Sequence, residues 1–515
     1  MTGNLPVRAR AALLLLPLLG AATGAPPDLR SVVESGRVEI LRWPDVRDYR
    51  RYLDAFYRER NDAPAWLRNG ALTEQGVTLT HLFATADAKG VRAADYDGDR
   101  WPTHLNVLKG DPAQLDVALT ATLMRYISDL HIGRVNPQRV DFLLDVGPKK
   151  YDLPKLVEAL VNAPDLAARL ETVEPPYDGY RRLRAALNRY IQLAREGDGT
   201  PVPAAKVEPG QTWEGVAPLA ARLTHLGDLQ GTVTGDLYAG ALVDAVKRFQ
   251  DRHGLAVDGR IGPGTLAALN VPLSRRAEQI RLSMERWRWA PSSFDAPPIV
   301  VNIPEFRLRA YDGKQNVGLT MPVVVGKSYP GKKTPVFAGS MTYLVFRPYW
   351  NVPPSIARKE IRPKMAADPG WAARNGYEVV DGRVRQKPGE KNALGRVKFM
   401  FPNPMNVYLH DTPSRDLFSR ARRDFSHGCI RLQDPPALAA WVLRDDPKWT
   451  RERIDQAMRS GPQDAHVTLP HPIPVLLVYA TAVAPEDGTV RFFEDIYGHD
   501  TTLEDALAEG YPYPW

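Results

Sequence analysis

The sequence contains one cysteine, Cys429, among its 515 residues. A lone thiol has no partner in its own chain, so a fold stabilised by internal disulfides is excluded. Long apolar runs are also missing: beyond the first 25 residues no stretch approaches the roughly 20 apolar residues of a membrane-spanning helix. With 44% hydrophobic and 25% charged residues, the composition is typical of ordinary globular domains.

The amino terminus has the layout of a signal peptide. Arg8 and Arg10 precede the apolar run 11–19, and small residues follow it. Because this run is too short to span a bilayer as a mature helix, we predict cleavage near Ala22 or Gly24, with an uncleaved anchor as the alternative. No cysteine stands near the end of the run, which excludes a lipoprotein anchor. We therefore expect an exported protein.

Length and charge bound the organisation and the partners. A chain of 515 residues predicts roughly three or four domains, since it is too long for one compact core. The formal charge of +7 suits an acidic partner, but charge alone does not separate nucleic acid from anionic wall polymer or a lipid surface. The basic residues form no nucleic-acid motif, so no nucleic-acid partner is expected.

The first part of the chain has a mainly helical pattern. Segments 46–58, 117–130 and 180–194 place apolar residues at three- and four-residue spacings, and turn clusters rich in Pro, Gly, Asn and Asp separate them. No catalytic constellation is found here. We predict a helical scaffold.

A second module follows the proline-rich linker 201–209. Leu242, Val246 and Phe249 fall on one helical face, and Gly254 stands where that helix would stop. The module resembles the small three-helix peptidoglycan-binding domain at Phe249-Gln250, His253-Gly254-Leu255, Asp258-Gly259, 261–265 and Leu269-Asn270. A module that packs against its neighbours and binds nothing is the alternative.

The pattern changes after Pro297. Alternation, β-branched residues and Gly/Pro punctuation predict a mainly β domain with strands at 299–303, 306–311, 321–325, 341–346, 397–401, 407–410 and 475–480. Just before it, Ile280, Met284 and Trp287 share one face of a predicted helix at 275–289. We expect this helix to dock the binding module onto the β domain.

Chemistry-bearing residues concentrate in segments 407–412 and 426–432 of the β domain. Exported proteins usually pair their cysteines, so the lone Cys429 needs another explanation: a small buried hydrophobe, or a reactive group. A thiol near neutral pH is mostly protonated, so a nucleophilic cysteine needs an adjacent base or cation. Both segments supply histidines.

The local pattern places helpers around this thiol. If 407–410 is a strand, the side chains of Tyr408 and His410 point to the same face and offer a phenol donor and a base. Gly428 permits close approach of the backbone, and the amide groups around it are suited to stabilise an oxyanion. Asp434 begins a predicted helix, so the thiol lies just ahead of a helix start.

The two segments together resemble the signature of the L,D-transpeptidase catalytic domain, a histidine followed after about fifteen residues by Ser-His-Gly-Cys-x-Arg. The flanks are similar to the large periplasmic subfamily at 284–287, 350–356 and 392–395. Many family members have Asn where Arg431 stands, although Arg is a usual variant in this subfamily. With the scaffold and the binding module, the similarity covers nearly the whole mature chain.

The resemblance implies a role for each matched residue. Cys429 is the expected nucleophile and His410 the base that takes its proton. His427, Gly428 and Tyr408 are expected around the developing oxyanion.

Other groups are expected to support the site or bind substrate. The side chain of Asp411 should face away from that of His410 on a continuing strand, so a backbone carbonyl is predicted to orient the imidazole. The candidate substrate-binding residues are Arg431, Ser426 and Trp350, of which the arginine is suited to a peptide carboxylate.

Each role has a plainer alternative. Ser426, His427 and Tyr408 could serve the turn or the strand packing alone. A zinc site using His410, His427 and Cys429 has usable ligand types, but no further cysteine or paired histidine motif completes it. No metal and no cofactor are therefore expected.

The polar stretch 356–395 is poor in strand signal and long for a loop on a compact domain, which predicts a lid or a disordered insertion. The family resemblance implies a substrate-capping subdomain. The sequence thus predicts a multidomain α+β chain with these parts: a signal peptide (1–24), a helical scaffold domain (25–205), a peptidoglycan-binding domain (206–272), a connecting helix (273–296), a mainly β catalytic domain (297–484) and a C-terminal segment (485–515).

The implied activity is formation of 3→3 cross-links in peptidoglycan, with a tetrapeptide stem as acyl donor and release of D-alanine. Alternatives are an L,D-carboxypeptidase, if water is the acceptor, and a non-catalytic wall-binding protein. The expected partners are stem peptides, glycan and other cell-wall synthesis enzymes, with a monomer as the default. The expected location is the periplasm of a Gram-negative bacterium, at the membrane or wall, and the thiol is an expected carbapenem target.

Overall fold

The computed structural model describes residues 28–107, 111–149 and 151–511. The predicted signal peptide lies outside them. Within these three ranges, no helix is both long enough and apolar enough to cross a bilayer.

The N-terminal region is helical, as its apolar spacing predicts. The helices are α1 Leu29–Ser35, α2 Arg50–Glu59, α3 Glu74–Ala84, α4 Trp101–Val107, α5 Pro112–Ile132, α6 Leu153–Val161, α7 Leu166–Glu171 and α8 Asp178–Glu196, with short strands β1 Leu67–Arg68, β2 Ala71–Leu72 and β3 Phe142–Leu143. The three predicted helices are confirmed as α2, α5 and α8. The buried carboxylate of Asp116 on α5 accepts from the amides of Ala65 and Trp66 at 2.9 and 2.8 Å, which ties the loop before β1 to the central helix.

The binding module is a three-helix unit, as predicted, formed by α9 Val216–Leu226, α10 Ala241–Arg252 and α11 Pro263–Leu269. The predicted face of α10, with Leu242, Val246 and Phe249, is buried. The side-chain amide of Gln250 donates to the carbonyl of Arg260 at 3.0 Å and accepts from the amide of Gly259 at 2.8 Å. This glutamine therefore holds the turn between α10 and α11.

Helix α12, Leu273–Arg288, joins the binding module to the rest of the molecule. Ile280 and Met284 of the predicted face are fully buried in a cluster shared with α8 and the binding module, whereas Trp287 is only partly buried. On the side of the N-terminal region, Glu285 accepts from the amide of Val135 at 3.1 Å, and Arg288 donates to the carbonyl of Lys89 at 2.7 Å. The helix thus packs against both preceding domains.

The region after Pro297 is mainly β, as predicted. Its strands are β4 Ile299–Asn302, β5 Arg307–Tyr311, β6 Val317–Gly326, β7 Val336–Phe346, β8 Trp350–Asn351, β9 Tyr377–Val380, β10 Arg383–Gln386, β11 Val397–Met400, β12 Leu409–His410, β13 Asp424–Ser426, β14 Ile430–Leu432 and β15 Ala465–Val478. Its helices are α13 Pro354–Ile356, α14 Arg362–Ala367, α15 Trp371–Arg374, α16 Pro435–Val442 and α17 Arg451–Arg459.

The large sheet closes on itself. Its strand order is β11-β12-β14-β6-β5-β4-β15-β7-β3, and β11 also pairs with β7. The alternating inward side chains of these strands form one apolar core, to which α16 and α17 also contribute buried side chains. The outermost strand, β3, comes from the N-terminal region and pairs in parallel with β7. The sequence pattern does not indicate this link between the domains.

The insertion 356–395 is folded. Strands β8, β10 and β9 form a separate three-stranded sheet, and Val352, Ala357, Ile361 and Val384 form its small apolar cluster. We call this unit the cap. Between α13 and α14 the chain makes a π-helical turn, Ala357–Ile361.

The C-terminal segment wedges between domains. It contains β17 Arg491–Phe492 and α18 His499–Ala508, and β17 pairs with β16 Ala482–Val483 just before the segment. The ring of Phe492 packs on His253 of the binding module, with 5.6 Å between ring centroids, and Asp500 pairs with Arg286 of α12. The architecture is therefore the predicted multidomain α+β arrangement, with the last residues serving as a clamp.

Candidate active site

The two predicted segments meet as neighbouring parallel strands. β12 pairs with β14 so that Leu409 lies opposite Ile430 and His410 opposite Arg431. The amide of Ile430 donates to the carbonyl of Tyr408 at 3.1 Å. Cys429, one residue before Ile430, therefore lies beside Tyr408 at the entrance to the strand pair.

The turn before Cys429 requires its glycine. Gly428 has φ of 120°, a left-handed conformation that residues with a Cβ rarely adopt. The buried hydroxyl of Ser426 accepts from the amide of Gly428 at 3.1 Å and donates to the carbonyl of Cys429 at 2.6 Å. Ser426 is thus part of the turn itself, and its predicted contact with substrate stays a prediction, as does an oxyanion role for Gly428.

His410 is held by a backbone carbonyl, as the sequence predicts. Its Nδ1 donates to the carbonyl of Asp411 at 2.5 Å, while the Asp411 carboxylate turns away and accepts from the amide of Arg396 at 2.8 Å. A carbonyl can only accept, so Nδ1 carries the proton and Nε2 of the neutral ring is left with its lone pair. Burial, with the charge of Arg431 added, lowers the pKa of His410 to about 3. The imidazole is a neutral base at physiological pH.

Cys429 shares one face with Tyr408 and His410. The rings of Tyr408 and His410 lie 5.7 Å apart, and Sγ of Cys429 lies 3.7 Å from the carbonyl of Asn406. Burial raises the pKa of the Cys429 thiol above its usual range, although hydrogen bonds from the backbone and side chain of Tyr408 and the charge of Arg431 oppose that rise. Burial likewise raises the pKa of Tyr408, so its hydroxyl stays protonated and can donate.

The two pKa shifts predict that Cys429 rests as a neutral thiol and His410 as a neutral imidazole. Because the pKa of Cys429 is raised and that of His410 is lowered, the thiolate fraction should grow about tenfold per pH unit between about pH 6 and 9. We expect the rate of Cys429 alkylation by iodoacetamide, followed by intact mass, to rise with that slope and without a plateau. A plateau beginning near pH 5 would instead mean a preformed thiolate–imidazolium pair and contradict this description.

The other predicted substrate-binding residues occupy different places. Arg431 on β14 is mostly buried, and its Nε has no hydrogen-bond partner among the described residues. Trp350 lies in the cap sheet, with its ring 6.3 Å from that of Tyr377, and belongs to the apolar cluster of the cap. Their substrate-binding roles stay predictions.

His427 has a partner that the sequence does not indicate. Its Nε2 lies 2.7 Å from Oε1 of Glu360, a residue of the cap 67 positions earlier in the chain. No motif marks this glutamate, because the contact joins an insertion to the catalytic turn only in the folded chain.

A second set of missed residues supports the turn from behind. The hydroxyl of Thr334 donates to the carbonyl of Gly428 at 2.8 Å and accepts from the amide of Gly326 at 2.8 Å. The hydroxyl of Tyr497, in the C-terminal segment, accepts from the amide of Thr334 at 3.1 Å and donates to the carbonyl of Gly326. Tyr497 of the C-terminal segment thus supports the turn before Cys429 through Thr334.

Comparison with known families identifies three domains. The family model described as "Scaffold domain" matches residues 51–187, "Putative peptidoglycan binding domain" matches residues 214–269, and "L,D-transpeptidase catalytic domain" matches residues 297–452. The last range contains Tyr408, His410 and Cys429, whereas Tyr497 lies beyond it.

Individual proteins are similar over parts of the chain. A curated protein of Haemophilus influenzae named "Putative L,D-transpeptidase" is 31% identical over 264 residues, which cover 46% of this chain and 52% of that protein. The chain thus spans about half the length of this relative.

Solved L,D-transpeptidases of Xylanimonas cellulosilytica and Stackebrandtia nassauensis are 16% and 15% identical and each cover 54% of this chain. The alignments include 100% and 97% of those chains, with TM-scores of 0.17 and 0.21, too low to carry an argument. The domain matches decide the assignment: the chain carries an L,D-transpeptidase catalytic domain at residues 297–452, joined to a scaffold domain and a peptidoglycan-binding domain.

Proposed function

We propose that this protein forms 3→3 cross-links between peptidoglycan stem peptides through a thioester on Cys429. The observation that carries the proposal is the pairing of β12 with β14, which brings Cys429 next to Tyr408 and near His410, whose Nε2 is unprotonated. A protein that only binds the wall needs neither group.

The first step acylates the enzyme. Sγ of Cys429 attacks the carbonyl carbon of the third, L-centred residue of a tetrapeptide stem, and the thiol proton passes to Nε2 of His410. The tetrahedral intermediate collapses, the bond from carbon to the D-alanine nitrogen breaks, and the imidazolium returns the proton to that nitrogen. Free D-alanine leaves and a thioester remains on the sulfur.

Tyr408 is the best-supported donor to the oxyanion of this intermediate. Burial raises its pKa, so its hydroxyl stays protonated, and Tyr408 lies beside Cys429 across the β12–β14 pair. The amide of Gly428 is already engaged with Ser426. Removing one such donor costs about 10²–10³-fold in rate in enzymes that use oxyanion sites.

The second step transfers the acyl group to a second stem. The side-chain amine of its diamino acid attacks the thioester carbon, His410 removes a proton from the attacking nitrogen, and the C–S bond breaks. The proton then returns to sulfur, which restores the thiol and the neutral imidazole. The product is a new amide between the third residues of two stems.

The binding module supports the wall as the place of action. It is held against the catalytic region through α12 and through Phe492 of the C-terminal clamp, so a bound glycan would have a fixed orientation relative to Cys429. An activity on peptidoglycan also requires a position outside the cytoplasm, which fits the predicted export and the periplasm.

Muropeptide analysis tests the proposal. We expect purified protein incubated with disaccharide-tetrapeptides to release D-alanine and to accumulate 3→3 tetrapeptide-tripeptide dimers, identified by tandem mass spectrometry. Tripeptides without dimers would instead establish an L,D-carboxypeptidase, and unchanged tetrapeptides would contradict an acyl-transfer function. Incorporation of an added D-amino acid at position four would show exchange as a side reaction of the same thioester.

A further inference from the structure

A carboxylate of the chain itself lies beside the catalytic turn. Glu360, in the π-helical turn of the cap, places Oε1 2.7 Å from Nε2 of His427 and 3.7 Å from Nζ of Lys332. A carboxylate only accepts, so the histidine nitrogen donates this bond. His427 stands two residues before Cys429 in the sequence.

Lys332 reaches this position from a different side of the turn. It lies in the loop between β6 and β7, whose carbonyl at Lys333 lies 3.5 Å from the place a Cβ would take at Gly428. The next residue, Thr334, donates to the Gly428 carbonyl. The loop therefore packs directly on the turn before Cys429. Lys332 and His427 both approach the same carboxylate oxygen, Oε1 of Glu360.

The Glu360 carboxylate can be displaced from its place between His427 and Lys332. The side chains of Glu360, His427 and Lys332 are 41%, 30% and 36% exposed. Ion pairs with this much solvent access change an equilibrium constant by no more than about fivefold. The cap also has its own apolar cluster, so this ion pair is not its only internal or external contact.

We propose that His427 and Lys332 form a subsite for a carboxylate of the peptide substrate, and that Glu360 occupies this subsite until the substrate displaces it. The inference rests on the proposed function, because a stem tetrapeptide supplies the carboxylate. An extended peptide spans about 3.3–3.6 Å per residue. His427 is two residues from Cys429, so the subsite suits a carboxylate one or two residues from the scissile carbonyl. The terminal D-alanine carboxylate and a side-chain carboxylate of the diamino acid both meet that condition.

Steady-state kinetics of D-alanine release distinguish a competing carboxylate from a structural one. With Glu360→Gln we expect the KM for the donor to fall about two- to fivefold while kcat stays unchanged, because the variant keeps the shape but removes the competing charge. With Lys332→Met we expect the KM to rise by a similar factor. Glu378→Gln is the matched control, since this carboxylate of the same cap pairs with Arg385 and Lys387 instead.

Two modified donors identify the carboxylate. One donor carries the terminal D-alanine as its amide, and the other carries the side-chain carboxylate of the diamino acid as its amide. The effect of Lys332→Met on KM should vanish for the donor whose amide replaces the bound carboxylate and persist for the other.

The outcomes separate this inference from the proposed function. An unchanged or raised KM, or a lowered kcat, in Glu360→Gln would mean that the Glu360–His427 contact only holds the cap in place. That result would overturn the inference. An equal effect of Lys332→Met on all three donors would overturn it as well. Wild-type protein that turns over no stem peptide would contradict the proposed function itself.

Discussion

Replacing Cys429 with alanine is expected to lower D-alanine release from a tetrapeptide donor by about 10⁴-fold or more. Without the sulfur the covalent route is closed, and only transition-state contacts such as that from Tyr408 remain to assist water. The measurement is the initial rate of D-alanine release at saturating donor.

Cys429→Ser is the matched variant for this experiment. It keeps nearly the same volume and a donor toward the carbonyl of Asn406 but offers a hydroxyl that the neutral imidazole activates poorly. We expect both variants to fold, with melting temperatures within a few degrees of wild type, since Cys429 is only partly buried and makes no ion pair. More than about a tenth of wild-type activity in either variant would rule out Cys429 as the nucleophile.

Replacing His410 with glutamine is expected to lower kcat by about 10²–10⁴-fold. The loss follows from removing Nε2, which the bond from Nδ1 to the Asp411 carbonyl leaves free to take the thiol proton. Because the resting thiol is not held as a thiolate by His410, its alkylation by iodoacetamide should keep the pH dependence of wild type. The measurements are kcat and the alkylation rate on the same preparation.

His466→Gln provides the control for this substitution. His466 is an exposed histidine of β15 in the same domain and stacks on Tyr343 at 5.4 Å between centroids. We expect its kcat to match wild type. Wild-type kcat in His410→Gln, or an equal loss in both variants, would contradict the assignment of His410 as the base.

The side-chain arrangement around Cys429 could be predicted because its determinants are local. Alternation along a strand places Tyr408 and His410 on one side and turns the Asp411 carboxylate away, and the structure has both features. The glycine before Cys429 indicates a special backbone conformation, which is observed as a positive φ. Each of these expectations needs only neighbouring residues.

The residues that hold the turn before Cys429 could not be predicted, because they lie far from it in the sequence. Thr334 and Tyr497 reach the Gly428 turn from a loop and from the C-terminal segment, and Glu360 reaches His427 across 67 positions. Hydroxyl and carboxylate residues are common on surfaces, so nothing in their immediate sequence separates these from solvated ones.

The cap shows the limit of periodicity. Its strands are short, and in β10 only Val384 provides an apolar side chain between arginines. A strand pattern this short cannot be distinguished from the pattern of a polar loop. The sequence therefore predicts either a lid or a disordered insertion for this segment. A small cluster with Val352, Ala357 and Ile361 is enough to order the segment once the chain is folded.

The family hallmark of the binding module is largely structural here. Gln250 holds the turn between two helices, and His253 is buried between Phe249 and Phe492. Burial lowers the pKa of His253 well below its usual range, so the ring stays neutral in that stack. Any contact with glycan must therefore use other, exposed residues of the module.

The most direct test of the proposed mechanism is the intact mass of the protein trapped during turnover. Rapid acid quenching after mixing with a tetrapeptide donor should show a species heavier by the donor mass less D-alanine, and peptide mapping should locate that mass on Cys429. The adduct should be absent from Cys429→Ala. An adduct of the same size on Cys429→Ala, or one mapped to any other residue of the wild-type protein, would contradict the thioester mechanism.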